Sequence, residues 1–132
     1  MDSVSARIAK DLYKVEIKSP SGNLVIADEP VDKGGKNLGF APKELLASAL
    51  AACTSITLRM YADRKGWDLQ EMKVDVSVER DEAANKTTFT RKIDLIGNLN
   101  EEQRTRLLAV ANACPVHKVL VNPIFIETSL EK

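Results

Sequence analysis

Two thiols carry the chemistry this chain could perform. Cys53 closes the run Pro42-Lys43-Glu44-Leu45-Leu46-Ala47-Ser48-Ala49-Leu50-Ala51-Ala52-Cys53, and Cys114 opens Cys114-Pro115-Val116-His117-Lys118. A cysteine in either setting can pack as a small hydrophobe. Two of them at such sites, in a chain with no other cysteine, suggest thiol chemistry. Cys114 precedes a proline at a predicted helix start, where the positive end of the helix dipole favours a thiolate. His117, the single histidine, follows three residues later. It could move protons for the pair, ligate a metal, or simply sit exposed on a short helix. A zinc site built from Cys53, Cys114 and His117 needs a fourth ligand such as Glu44, because structural zinc takes four protein ligands. The favoured reading has no resident metal or cofactor.

The elements around these residues follow from periodicity. Tyr13, Val15 and Ile17 alternate with charged residues as a half-buried strand. The turn cluster Ser19-Pro20-Ser21-Gly22-Asn23 and the run Leu24–Ala27 complete a hairpin. Asp32-Lys33-Gly34-Gly35-Lys36-Asn37 reads as a polar surface turn or a site loop. Pro42 suits a first helical position, with Glu44 complementing the dipole in the first turn. That helix should run to about Lys65 and stop at Gly66. From Leu45 to Ile56 it is apolar or small on every side, which predicts a central helix enclosed by other elements.

A second hairpin is expected from Met72–Glu79 and Thr87–Ile96. Asn100 should cap a helix carrying Leu107, Leu108, Val110 and Ala111. A short helix is expected over 115–121, and Pro123 to Leu130 should form a closing strand. Tyr61 and Trp67 are expected to cover a sheet edge. The order is an α+β pattern in one domain, residues 1–132.

Composition narrows the partners. Nineteen basic and nineteen acidic residues cancel, leaving no field to draw nucleic acid or an anionic membrane. No apolar run approaches the roughly 20 residues that span a bilayer. Residues Met1–Arg7 lack the apolar core of a secretory signal. A cytoplasmic, reduced protein is the expectation, with any bridge between the cysteines transient.

Pro42-Lys43-Glu44-Leu45-Leu46 through Ala51-Ala52-Cys53-Thr54, followed some sixty residues later by Cys114-Pro115-Val116-His117-Lys118, resembles the OsmC/Ohr family. These are the osmotically induced and organic hydroperoxide resistance proteins, and the likeness covers nearly the whole chain. It implies an OsmC-like fold in an intertwined homodimer, with the central helices buried between curved sheets and active sites at the subunit interface. The implied activity is thiol-dependent reduction of organic hydroperoxides in stress defence. Cys53 matches the family's peroxide-attacking cysteine and Cys114 its resolving cysteine. An external dithiol, in related enzymes a lipoylated protein, would reduce the resulting bridge.

Two positions depart from the family pattern. Lys43 stands where its peroxidases carry a glutamate, and Glu44 is one residue later. The arginine that glutamate contacts has no counterpart, since no arginine lies between Asp11 and Leu58. Lys43, Lys36 and His117 are the candidates to supply the missing positive charge. Glu44, nine positions before Cys53, falls on the opposite helical face. The alternative readings are a dimeric binding or redox-sensing module with little peroxidase activity, and a stress protein whose cysteines only pack.

Overall fold

The computed structural model describes residues 2–131. The chain divides into two compact units, one ending at Ala47 and the other beginning at Ser48.

In the first unit, strands β1 (Ser5–Ile8), β2 (Val15–Lys18) and β3 (Leu24–Ala27) form an antiparallel sheet in that order. The expected hairpin is β2–β3. Its turn closes where the Asn23 carbonyl accepts from the Ser19 N–H at 2.9 Å, with Gly22 at φ 93°. Strand β1 escapes a pattern search because Ser5-Ala6-Arg7-Ile8 offers only weak alternation and every residue is exposed. The glycine-containing loop that follows is pinned. Asp28, 2% exposed, accepts from the backbone N–H groups of Tyr13, Glu29, Lys36 and Leu38 at 3.1, 2.7, 3.3 and 3.1 Å. A β-carbon on Gly35 would come within 2.0 Å of the Glu29 carbonyl oxygen, so the loop packs too closely for any side chain there.

Helix α1 (Pro42–Lys65) starts in the first unit and continues into the second. It ends as the sequence predicts, with Gly66 left-handed at φ 68° and the Trp67 N–H donating to the Ala62 carbonyl at 2.9 Å. Within the single chain the cover on this helix is one-sided. Only Leu50, Thr54, Leu58 and Ala62, one stripe at four-residue spacing, are buried. Ile56 and Met60, on another face, are 55% and 58% exposed. By length and composition alone α1 could also cross a bilayer, with a mean hydropathy of 1.4 over its best window. Thr54 and Ser55 donate back to the Leu50 and Ala51 carbonyls at 2.7 and 2.8 Å, which satisfies their hydroxyls within the helix.

The second unit is built on a long antiparallel hairpin, β4 (Asp68–Asp81) and β5 (Lys86–Asn98). Helices α2 (Glu101–Ala111) and α3 (Pro115–Val121) follow. Asn100 caps α2 through a reciprocal box with Gln103. Leu58, Ala62, Leu69, Leu107 and Ala111 make the core, with Met72, Ile93 and Leu95 packed against it.

The expected closing strand does not form. From Pro123 to Glu131 no described residue is in a strand, and Ile124, Phe125 and Ile126 are 59%, 88% and 86% exposed. Apolar and β-branched residues suit a strand, but no strand among the described residues pairs with this segment, and a strand needs a partner.

Candidate active site

The second unit holds Cys53 and Cys114 as free thiols near enough for each to shift the acidity of the other. Cys53 directly precedes the buried Thr54 on α1 and is half-buried. Cys114 ends the turn between α2 and α3 and is 0% exposed. Pro115 at the first position of α3 fixes that turn, since its missing N–H is no loss there.

The two sulfurs are unequal. Burial pushes the Cys53 thiol up, and the neighbouring Cys114 adds to the shift as acceptor and as charge, against an opposing pull from the Val116 N–H and Thr57. Burial also acts to raise Cys114, but donation from Cys53, from the N–H groups of His117 and Val116, and from Thr54 outweighs it and holds this thiol below its ordinary value. One negative charge on the pair therefore resides chiefly on Cys114, with Cys53 as its donor.

Arg91, which sequence reasoning passed over, organises the surroundings. Its Nη1 donates to Thr54 Oγ1 at 3.1 Å and to the Ala111 carbonyl at 3.3 Å. Its Nη2 donates to Asn112 Oδ1 at 3.1 Å and meets His117 Nδ1 at 3.2 Å. A guanidinium only donates, so His117 Nδ1 is the acceptor and its proton sits on Nε2. A signal was available. Phe89, Ile93 and Leu95 alternate on the inward face of β5, and Arg91 takes the inward place opposite Val76. A charged residue on an apolar face needs partners.

Among the remaining sequence candidates, His117 joins the site through Arg91, while Lys43 and Glu44 belong to the first unit. Glu44 accepts from the Ala41 N–H at 2.8 Å and so closes the helix start. Lys43 is exposed, and Lys36 pairs with Asp11 at 2.9 Å. Among the described residues no three of His, Cys, Asp and Glu gather as a metal site. The zinc grouping of Cys53, Cys114, His117 and Glu44 thus finds no geometric support.

A cavity of about 260 Å³ opens beside the network, lined by Leu50, Thr87, Phe89, Arg91, His117, Leu120 and Val121. It is apolar apart from Thr87 and the Arg91–His117 corner, and neither thiol is part of its lining. A larger cavity of about 810 Å³, beside Tyr61, Trp67 and the start of α2, has no thiol in its lining. Tyr61 and Trp67 meet edge to face at 5.6 Å there, against the core and away from the cysteine site.

Fold and site together define an α+β protein with two free cysteines in its second unit. The sequence model of the OsmC-like protein family matches residues 34–129. The chain belongs to the OsmC family. A Psychrobacter arcticus protein ascribed to osmotic stress induction and the detoxification response superposes with a TM-score of 0.79 at 25% identity, covering 93% of this chain and 90% of the other. The organic hydroperoxide resistance protein OhrB of Bacillus subtilis gives 0.64 at 24% identity, over 92% and 90%. An organic hydroperoxide resistance protein OsmC from Legionella pneumophila gives 0.68 at 21%, over 92% and 89%. No curated protein matches the sequence significantly.

Proposed function

We propose that this protein is a thiol-dependent peroxidase that reduces organic hydroperoxides in oxidative or osmotic stress defence. The observation that carries the proposal is that the two cysteines, Cys53 and Cys114, are both free thiols of the second unit, and their opposite shifts in acidity support it. Family membership and neighbours named for hydroperoxide resistance support it. The apolar cavity suits the organic part of such a substrate.

The first step falls to Cys53 on this reading, which its greater accessibility supports: it is half-buried where Cys114 is fully covered. Its thiolate, the minor form of the pair, is also the stronger nucleophile, because nucleophilicity rises with thiol pKa. It attacks the terminal peroxide oxygen and the O–O bond breaks. The alkoxide takes a proton and leaves as alcohol, and sulfur is oxidised by two electrons to a sulfenic acid. Cys114 then attacks that sulfur, forming the S–S bond while the hydroxyl leaves as water with a proton. An external dithiol, small or lipoylated, reduces the bridge by exchange and is itself oxidised to a disulfide. No resident cofactor enters this cycle.

On this reading the working unit is a homodimer in a reducing, cytoplasmic setting. Ile56, Met60, Phe125 and Ile126 leave more apolar surface in water than a single chain favours. A redox-sensing or binding role with little turnover is favoured by one observation, the upward shift of Cys53. Consumption of cumene hydroperoxide with dihydrolipoamide as reductant separates the two. Wild type should sustain turnover that Cys53→Ser lacks; equal background rates would transfer the assignment to sensing.

A further inference from the structure

We infer that Arg91 is the positioning residue of the thiol pair. The inference rests on the two-cysteine site, and its test does not depend on peroxide turnover. Four contacts at 3.1 to 3.3 Å tie one guanidinium on β5 to Thr54 of α1, to Ala111 and Asn112 at the end of α2, and to His117 of α3. Ala111 and Asn112 lead directly into Cys114, and His117 lies in the first turn after it. Arg91 therefore holds both sides of the turn that carries the buried sulfur.

The contact with Thr54 adds a directional effect. Arg91 can only donate, so the Thr54 oxygen accepts from it and the single hydroxyl proton is left to donate. That proton goes to the Leu50 carbonyl at 2.7 Å, and the same hydroxyl is among the groups that lower Cys114. Donation by the guanidinium polarises the O–H bond and strengthens it as a donor. The groups that act on the pair are then the Thr54 and Thr57 hydroxyls from α1 and the α3 N–H groups, with Arg91 of β5 bonded to Thr54 and to the His117 ring. Lysine cannot replace this arrangement, because an ammonium lacks the planar fork that reaches three elements.

The experiment is disulfide formation driven by diamide, in which the two thiols lose two electrons and two protons and the diazene becomes a hydrazine. Arg91→Gln should slow closure of the Cys53–Cys114 bridge by about 10- to 100-fold, the usual effect of a misplaced reacting group. Arg91→Lys should recover only part of that loss. In the Cys53→Ser background, Arg91→Gln should also shift the pH profile of Cys114 alkylation to higher pH. Thr54→Val, which keeps the shape and removes the hydroxyl, should shift the profile the same way and stands in if the Arg91 variants fold poorly. Bridge closure and alkylation profiles unchanged in Arg91→Gln and Thr54→Val would overturn the inference, as would full recovery by Arg91→Lys. A wild type that closes the bridge with diamide but ignores peroxide would remove the peroxidase reading and leave this one standing.

Discussion

Cys114 lies against Cys53 with its own sulfur wholly covered, while Cys53 stays half-buried. Their acidities move apart, with Cys53 raised and Cys114 lowered. Each shift depends in part on the other sulfur, so the pair titrates as a unit. Removing one partner should move the other in a definite direction.

Cys114→Ala deletes the acceptor and negative charge that raise Cys53, so the remaining thiol should become more acidic. Its alkylation by iodoacetamide should reach half-maximal rate at lower pH than Cys53 shows in the wild type. Cys53→Ala deletes a donor to Cys114, whose profile should move to higher pH. Profiles that coincide with wild type would show that the sulfurs do not interact.

The cavity should sort substrates by bulk. Phe89 and Leu120 line it, and Leu120→Trp should fill much of its space. The apparent KM for cumene hydroperoxide should rise about 10-fold, within the range that apolar pocket changes command. The rate with hydrogen peroxide should hardly change, since that substrate needs no apolar wall. Steady-state kinetics on both peroxides checks this.

Asp28 should make the first unit acid-sensitive. Four backbone N–H groups outweigh burial and lower its carboxyl below the ordinary value of 3.8. A depressed carboxylate pKa adds stability that is present above the unfolded value and lost as pH falls through the folded one. Asp28→Asn keeps one acceptor oxygen and should lower the thermal midpoint at neutral pH. Between neutral pH and about pH 3 its midpoint should fall less steeply than that of wild type, as followed by circular dichroism.

Leu58, 0% exposed at the centre of the second core, sits one turn beyond Thr54. Leu58→Ala should cost about 2 to 5 kcal/mol of unfolding free energy, measurable by urea denaturation. The same change at exposed Leu108 should cost far less.

Where local chemistry dominates, the chain announces its structure plainly. Pro42 and Gly66 bracket α1, Asn100 with Gln103 starts α2, and Pro115 starts α3. The two cysteines could be named as a pair on resemblance, and local dipole reasoning marked Cys114 as the more acidic. What was not legible depends on distant partners. Arg91 meets Thr54 37 residues away and His117 26 residues away, so the stretch around it looks like an ordinary strand. The segment after Pro123 has strand composition but no partner among the described residues, and strand propensity cannot supply one.

The most direct measurement adds one equivalent of cumene hydroperoxide to the reduced protein and maps its peptides by mass spectrometry. Wild type should lose two hydrogens and yield a single peptide joining Cys53 to Cys114, while Cys114→Ser should stop at an oxygen adduct on Cys53. Both thiols remaining free in wild type, with the peroxide unspent, would contradict the peroxidase assignment.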